Sequence, residues 1–374
     1  MHKLVPGVIG ITTYSTLVRD AEKIALIPLH IAICDEAQAV KNAASRGALA
    51  IRALDARQRL CLTGTPMENH LGELHTQVSW VAPGLLGIKA AFDELYVKAI
   101  DAGIAGRSAL LRQRLKPVLL RRTKKQVAPE LPPRSESIIT VELGDRQRQL
   151  YEAIRVTMDA RVREAIALKG VARSHLDVLE ALLRLRQVCC DPVLLGTPEG
   201  FACDESAKLE CLSDLLPSLL EDGRRILLFS QFTSFLDRIE EVVLRPLGTP
   251  WLRLDGQTRD RQSLVDRFQA LESPLFLLSL KAGGTGLTLT AADTVILADP
   301  WWNPAAEAQA ADRAHRIGQD KPVLIYRLVA AGTVEEKVIA LQTRKKALAD
   351  ALYDESGQSL GQLTAEDLQS LLAG

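Results

Sequence analysis

Leu275-Phe-Leu-Leu-Ser-Leu280, running into Lys281-Ala-Gly-Gly-Thr-Gly286, decides the fold class. A short apolar run without polar alternation is the pattern of a strand covered on both faces, and this one stops at a glycine-rich turn. Glycine lets main-chain N–H groups face an anion with no Cβ in the way. Outward from this stretch, Arg225 to Phe229, Trp251 to Leu254, Thr294 to Ala298 and Val323 to Leu328 read as further strands with helical patterns between them. The same alternation opens the chain. Val8 to Thr13, His30 to Cys34 and Leu60 to Leu62 read as strands, and residues near 42–54 and 66–81 as helices. Thr65-Pro66 fits a capped helix start with proline at the first helical position. Strands alternating with helices mean βαβ units and parallel sheets, an α/β fold.

Between these two blocks the pattern changes. Ala109 to Leu120, Arg146 to Leu168 and His175 to Val188 are amphipathic and rich in arginine, and Ala128-Pro-Glu-Leu-Pro-Pro133 makes a stiff joint before the apolar run Ile138 to Leu143. Thr333-Val-Glu-Glu336 reads as a capping box opening a helix through Leu352, and Thr364-Ala-Glu-Asp367 as the cap of a last short one. The expected division is a first α/β lobe over 1–86, a helical insertion over 87–207 and a second α/β lobe over 208–374.

The 374 residues suit two or three domains, and 47% hydrophobic with 25% charged residues are globular proportions. No run approaches the ~18 apolar residues of a membrane span, and Thr12, Thr13, Ser15 and Thr16 break any secretory core near the start. Six cysteines without a C-x-x-C pair read as small hydrophobes of a reduced, cytoplasmic protein. Lys+Arg and Asp+Glu are both 46, so any nucleic-acid surface must be a local patch. One such patch exists: Arg107, Arg112, Arg114, Lys116, Arg121, Arg122, Lys124 and Lys125 occur with no acidic residue among them.

Four segments could carry chemistry. Ile31-Ala-Ile-Cys-Asp35-Glu36-Ala-Gln38 sets two carboxylates at the end of a strand, where open α/β sheets bind ligands. Such an Asp can hold Mg²⁺, directly or through water, and such a Glu can activate a water, though for the pair alone a plain acidic exit into solvent is the commoner case. Leu62-Thr-Gly-Thr-Pro-Met-Glu-Asn69 brings small residues to the end of the next strand. The glycine turn after Ser279 could cradle phosphate. Gln309, Arg313 and Arg316, if helical, share one face, and two guanidinium forks together suit a polyphosphate. The same arginines could equally form a solvated face paired with Asp312.

Taken in order, these segments resemble the Swi/Snf family of ATP-dependent DNA translocases, in helicase superfamily two. Ile11-Thr-Thr-Tyr14, Asp35-Glu-Ala-Gln38, Leu62 to Asn69, Leu228-Phe-Ser-Gln-Phe232, Ser279 to Leu289, Asp299-Pro-Trp-Trp-Asn-Pro304 and Asp312-Arg-Ala-His-Arg-Ile-Gly-Gln319 follow the family's motif order over nearly the whole chain. Leu119-Leu-Arg-Arg-Thr-Lys-Lys125 with Leu131-Pro-Pro133 resembles the family's bridge between lobes. The resemblance implies two RecA-like lobes with ATP and Mg²⁺ held between them. Catalysis would fall to Asp35 (with Mg²⁺, through water), Glu36, Arg313 and Arg316. Gln38, Gly284, Gly286, Gln309 and Asp312 would serve the nucleotide. Thr65, Gln231, Lys281 and Trp302, joined by Arg121, Arg122, Lys124 and Lys125, would face double-stranded DNA.

One family feature has no counterpart here. The phosphate loop G-x-x-x-x-G-K-[ST] needs a Gly-Lys pair, and no glycine in the chain precedes a lysine. The resulting expectation is an amino-terminally truncated member with an incomplete first lobe, hydrolysing little ATP by itself. A separate chain carrying the loop would complete it, and a non-catalytic DNA-binding or interaction remnant is the alternative.

Overall fold

The computed structural model describes residues 7–64, 71–104, 106–170, 174–283 and 286–353. They divide into two compact units, the first built mainly on residues up to Arg121 and the second on Arg122–Thr343.

In the first unit, β1 (Leu29–Cys34) and β2 (Ala56–Cys61) pair in parallel, from Leu29 opposite Ala56 to Cys34 opposite Cys61. Ala32 and Cys34 face a core with Leu17, Val40, Ile51 and Trp80, whose indole N–H donates to the Ile51 carbonyl at 3.0 Å. The opposite face is not covered: Ile31 and Ile33 are exposed, as are Leu60 and Leu62. These strands are therefore buried on one side only. Val8 to Thr13 is not a strand at all. Ile9 and Ile11 lie open, and Thr13 instead caps the helix Tyr14–Arg19, its hydroxyl accepting from the Thr16 N–H at 3.2 Å. A β-branched run becomes a strand only with a ladder partner, and among the described residues it has none. Part of the expected insertion belongs to this unit, where Phe92, Tyr96, Ile100, Leu111 and Leu115 pack on the helix Leu71–Val81.

The second unit holds a six-stranded, all-parallel sheet. Its strands are β3 (Arg134–Val141), β4 (Ile226–Ser230), β5 (Trp251–Leu254), β6 (Leu275–Ser279), β7 (Thr294–Leu297) and β8 (Val323–Ala330), in the order β3-β8-β7-β4-β6-β5. Alternate side chains feed two cores. Ile226, Leu228, Leu275, Leu277 and Ile296 meet helices Asp145–Lys169, His175–Cys190 and Ala207–Glu221 on one face. Leu227, Phe229, Phe276, Leu278 and Val295 meet Val265, Phe268, Ala310 and Ala311 on the other. Helices on both faces explain why β4 and β6 are apolar without alternation. Each such side chain contributes on the order of 1.5–3 kcal/mol of burial free energy. The remainder of the expected insertion thus supplies an edge strand and two long helices here. No described helix is long and apolar enough to cross a membrane.

Candidate nucleotide and nucleic-acid site

Asp35 and Glu36 follow β1 directly and are exposed. The backbone ladder runs on past the strands, with Leu62 N–H donating to Cys34 at 2.8 Å and Ala37 N–H to Leu62 at 3.0 Å. Glu36 has φ +48°, in the left-handed region that a side chain rarely adopts. Three hydrogen bonds hold it there. The Asp35 carboxylate accepts from Glu36 N–H at 2.9 Å, Gln38 Nε2 donates to Glu36 Oε2 at 2.6 Å, and Thr63 Oγ1 donates to Gln38 Oε1 at 2.7 Å. Gln38 therefore wires the acidic pair to the turn after β2. The Tyr14 hydroxyl braces the same corner, donating to the Asp35 carbonyl at 2.7 Å, and burial, with Cys34 second, raises its pKa. This is a strained carboxylate pair on a parallel-strand terminus, a setting that suits water-mediated Mg²⁺ binding and water activation.

In the second unit the arginine reading is corrected in one respect. The helix Pro304–Ala311 ends before Arg313, so Gln309, which lies on it, shares no helical face with Arg313 and Arg316. Asp312 closes the helix, and the following residues form successive turns. The two guanidinium groups nevertheless converge. Arg313 Nη1 reaches the Leu287 carbonyl at 3.1 Å, and Arg316 Nη1 reaches the same oxygen at 3.4 Å and Thr288 Oγ1 at 3.1 Å. Arg313 is buried and Arg316 half-buried. Gly286, at φ +57°, sits just before their shared acceptor, where a left-handed backbone requires glycine. Gln319 ties these turns to the sheet, its Nε2 donating to the carbonyls of Thr290, Ala292 and Ala314 at 2.7–3.1 Å.

The basic bridge is more engaged than its sequence shows. Lys124 Nζ pairs with Asp312 at 2.8 Å and donates to the His315 carbonyl at 2.7 Å. Arg134 reaches the same Asp312 oxygen at 3.1 Å, and His315 Nε2 meets the Pro132 carbonyl at 2.9 Å. Lys124, read as a DNA contact from the local basic excess, and Asp312, assigned from the resemblance to the nucleotide, are thus joined to one another. Arg121, Arg122 and Lys281 are exposed. Lys125 lies in the short helix Lys124–Val127, its side chain outside the described part. Thr65 and Gly284 lie outside the described residues.

A buried network behind Gln231 and Trp302 escapes sequence reading. Asp299, fully buried at the end of β7, accepts from Ser230 Oγ at 2.5 Å, Gln231 N–H at 3.1 Å and Arg186 Nη2 at 3.1 Å. Lys208 and Glu335, both fully buried, pair at 2.8 Å, while Lys208 also donates to the Ala298 carbonyl at 2.8 Å. Burial pulls the Lys208 ammonium down, but Glu335 and the acidic groups around it outweigh this and hold it above its ordinary value. Glu307 accepts from Trp301 N–H at 2.6 Å and Arg327 Nη1 at 2.7 Å. Burial raises its carboxyl, and Arg327 opposes the rise.

The parallel sheets and the order of the motif-bearing segments are those of helicase superfamily two. Residues 4–194 match the SNF2-related domain and residues 207–318 the helicase conserved C-terminal domain. The chain belongs to the Swi/Snf family of helicase superfamily two. It is similar to an uncharacterized ATP-dependent helicase of Mycoplasma pneumoniae, at 35% identity over 99% of this chain and 35% of that protein. It is also similar to the SWI/SNF-related matrix-associated actin-dependent regulator of chromatin subfamily A member 1 of Mus musculus, at 34% identity over 96% of this chain and 35% of that protein. The chain thus spans about a third of these curated relatives. The Sulfolobus solfataricus SWI2/SNF2 ATPase core in complex with dsDNA superposes with TM-score 0.51 at 28% identity, covering 97% of this chain and 76% of that one. Two RecA-like lobes with parallel sheets are the architecture.

Proposed function

We propose that this chain is part of an ATP-driven, double-stranded DNA translocase. Asp35 would hold Mg²⁺ through water, Glu36 would orient and deprotonate the attacking water, and Arg313 with Arg316 would neutralise charge on the transferred phosphoryl group. The observation that carries the reading is the convergence of both guanidiniums on Leu287, beside Gly286, within a chain of this family. Bound Mg²⁺ and ATP would supply the electrophilic phosphorus. The protein's part is to exchange the Leu287 carbonyl for a phosphate oxygen as the acceptor of these arginines. The residues present fit half of that task. Asp35, Glu36, Arg313 and Arg316 supply the side chains this reading needs, but the 374 residues hold no Gly-Lys pair to grip the β- and γ-phosphates, so on this reading the chain in isolation hydrolyses ATP poorly.

DNA contact does not depend on that loop. Arg114, Lys116, Arg121 and Arg122 are exposed in a stretch without acidic residues. Contacts from such a patch are sequence-independent and strongly salt-sensitive through counterion release. Duplex binding on the order of micromolar at moderate salt is expected. Fluorescence anisotropy should show charge reversal of these four residues weakening binding alike for every sequence and flattening the log–log salt slope by up to ~0.9 per lost phosphate contact. Unchanged binding would make the basic stretch a scaffold and remove DNA from this part of the proposal.

A further inference from the structure

We propose that Arg186, buried directly behind Trp302, is the positioning residue for duplex binding by the second unit. The inference rests on reading Gln231 and Trp302 as DNA-facing. Arg186 is only 1% exposed, on the helix His175–Cys190, and cannot meet a phosphate itself. Its guanidinium is sandwiched by three rings, with its carbon 5.2 Å from the Phe232 centroid, 5.2 Å from Trp301 and 5.7 Å from Trp302. Its Nη2 donates to Asp299 Oδ2 at 3.1 Å and to the Pro300 carbonyl at 2.9 Å.

That arrangement joins two separate segments at one point. Asp299 fixes the β4 exit through Ser230 and the Gln231 N–H, while Arg186 fixes the β7 exit through Pro300 and the two tryptophans. The far end of the tryptophan loop is pinned as well, by Glu307 on the Trp301 N–H and by Asn303 capping the next helix through Ala305 N–H at 3.0 Å. Trp302 is therefore held on the loop between two anchors, half-buried, with Arg186 behind it. A planar guanidinium lies flat against rings while its edge holds a carboxylate, a fixed geometry that a compact ammonium on a flexible stem does not reproduce. Arginine at this position sets the orientation of Trp302 and Gln231 together.

The test is duplex-binding anisotropy over a salt series with Arg186→Lys, Trp302→Ala and the double variant, each checked by tryptophan fluorescence. Arg186→Lys should weaken binding several-fold, because the ammonium keeps the charge but loses the flat stack that orients Trp302. It should leave the log–log salt slope unchanged, since no phosphate contact is lost, and shift tryptophan emission. The double variant should bind no more weakly than Trp302→Ala alone, because both changes remove one oriented ring. Near-wild-type affinity in Arg186→Lys, with Trp302→Ala weakened, would overturn the role of Arg186 and leave the DNA reading intact. Wild-type affinity in Trp302→Ala would overturn the DNA reading at that residue and the inference with it. Additive losses or an altered slope would show that Arg186 acts independently of Trp302. Should Arg186→Lys fail to fold, Phe232→Leu removes one ring and keeps every charge. The same several-fold loss would support the positioning role, and unchanged affinity would contradict it.

Discussion

Replacing Lys208 with methionine is expected to be among the most damaging single changes in the second unit. The side chain is fully buried, and its ammonium bonds only inward, to Glu335 and to the Ala298 carbonyl, each at 2.8 Å. Methionine matches the stem but strands Glu335 as a buried carboxylate, with the Ala330 N–H at 2.9 Å as its remaining donor among the described residues. Removing one partner of a buried pair costs about 3–5 kcal/mol, whereas removing both charges is often near neutral. Lys208→Met should therefore lose about 3–5 kcal/mol at neutral pH, and Lys208→Met with Glu335→Gln should recover most of it. The sign with pH follows. In the single variant the folded state favours protonated Glu335, so its deficit relative to wild type should shrink as pH falls toward the unfolded carboxyl value of about 4.3. Urea titration followed by tryptophan fluorescence is the assay, because Trp251, Trp301 and Trp302, three of the four tryptophans, report on this unit. A single variant within about 1 kcal/mol of wild type, or a double variant worse than the single, would refute the reasoning.

Asp255 gives a pH effect of opposite sense. Burial pushes its carboxyl up, but the Gln257 N–H, Arg253 and the Thr258 hydroxyl outweigh this and hold it below the usual value. Its stabilising contribution is present above the ordinary carboxylate pKa and is lost as pH falls through the depressed one. Asp255→Asn should thus flatten the fall of unfolding free energy below about pH 4, measured by urea midpoints across pH, and an unchanged fall would count against the pairing. For the arginines, if a polypeptide carrying the phosphate loop restores turnover, Arg313→Ala and Arg316→Ala should each lower kcat by roughly 10³-fold or more with little change in DNA affinity. Steady-state rates near wild type in both would make these turns a structural lock on Leu287.

The central strands β4, β6 and β7 are legible from sequence because burial on both faces makes them nearly plain apolar runs. β3 is half hidden: Arg134-Ser-Glu-Ser is polar, and only its pairing with β8 makes it a strand. The arginine pair was legible as a pair but not as a shape, since the 3.6-residue spacing of Gln309, Arg313 and Arg316 persists while the helix stops at Ala311. Asp35, Glu36 and Gln38 follow from the strand end, but the left-handed Glu36 and its link to Thr63 do not, because the link spans 25 residues. Arg186 and Lys208 look like solvated charges on amphipathic helices. Their partners lie 113 and 127 residues away, beyond any periodicity argument.

The proposed function assigns Asp35, Glu36, Arg313 and Arg316 to ATP hydrolysis, while the 374 residues hold no G-x-x-x-x-G-K-[ST]. Phosphate release by the purified 374-residue chain, with and without saturating duplex DNA, tests it most directly. Release should stay at the buffer baseline in both conditions and rise only when a polypeptide bearing G-x-x-x-x-G-K-[ST] is added. Robust DNA-stimulated release by the chain alone, abolished by Glu36→Gln, would contradict the account.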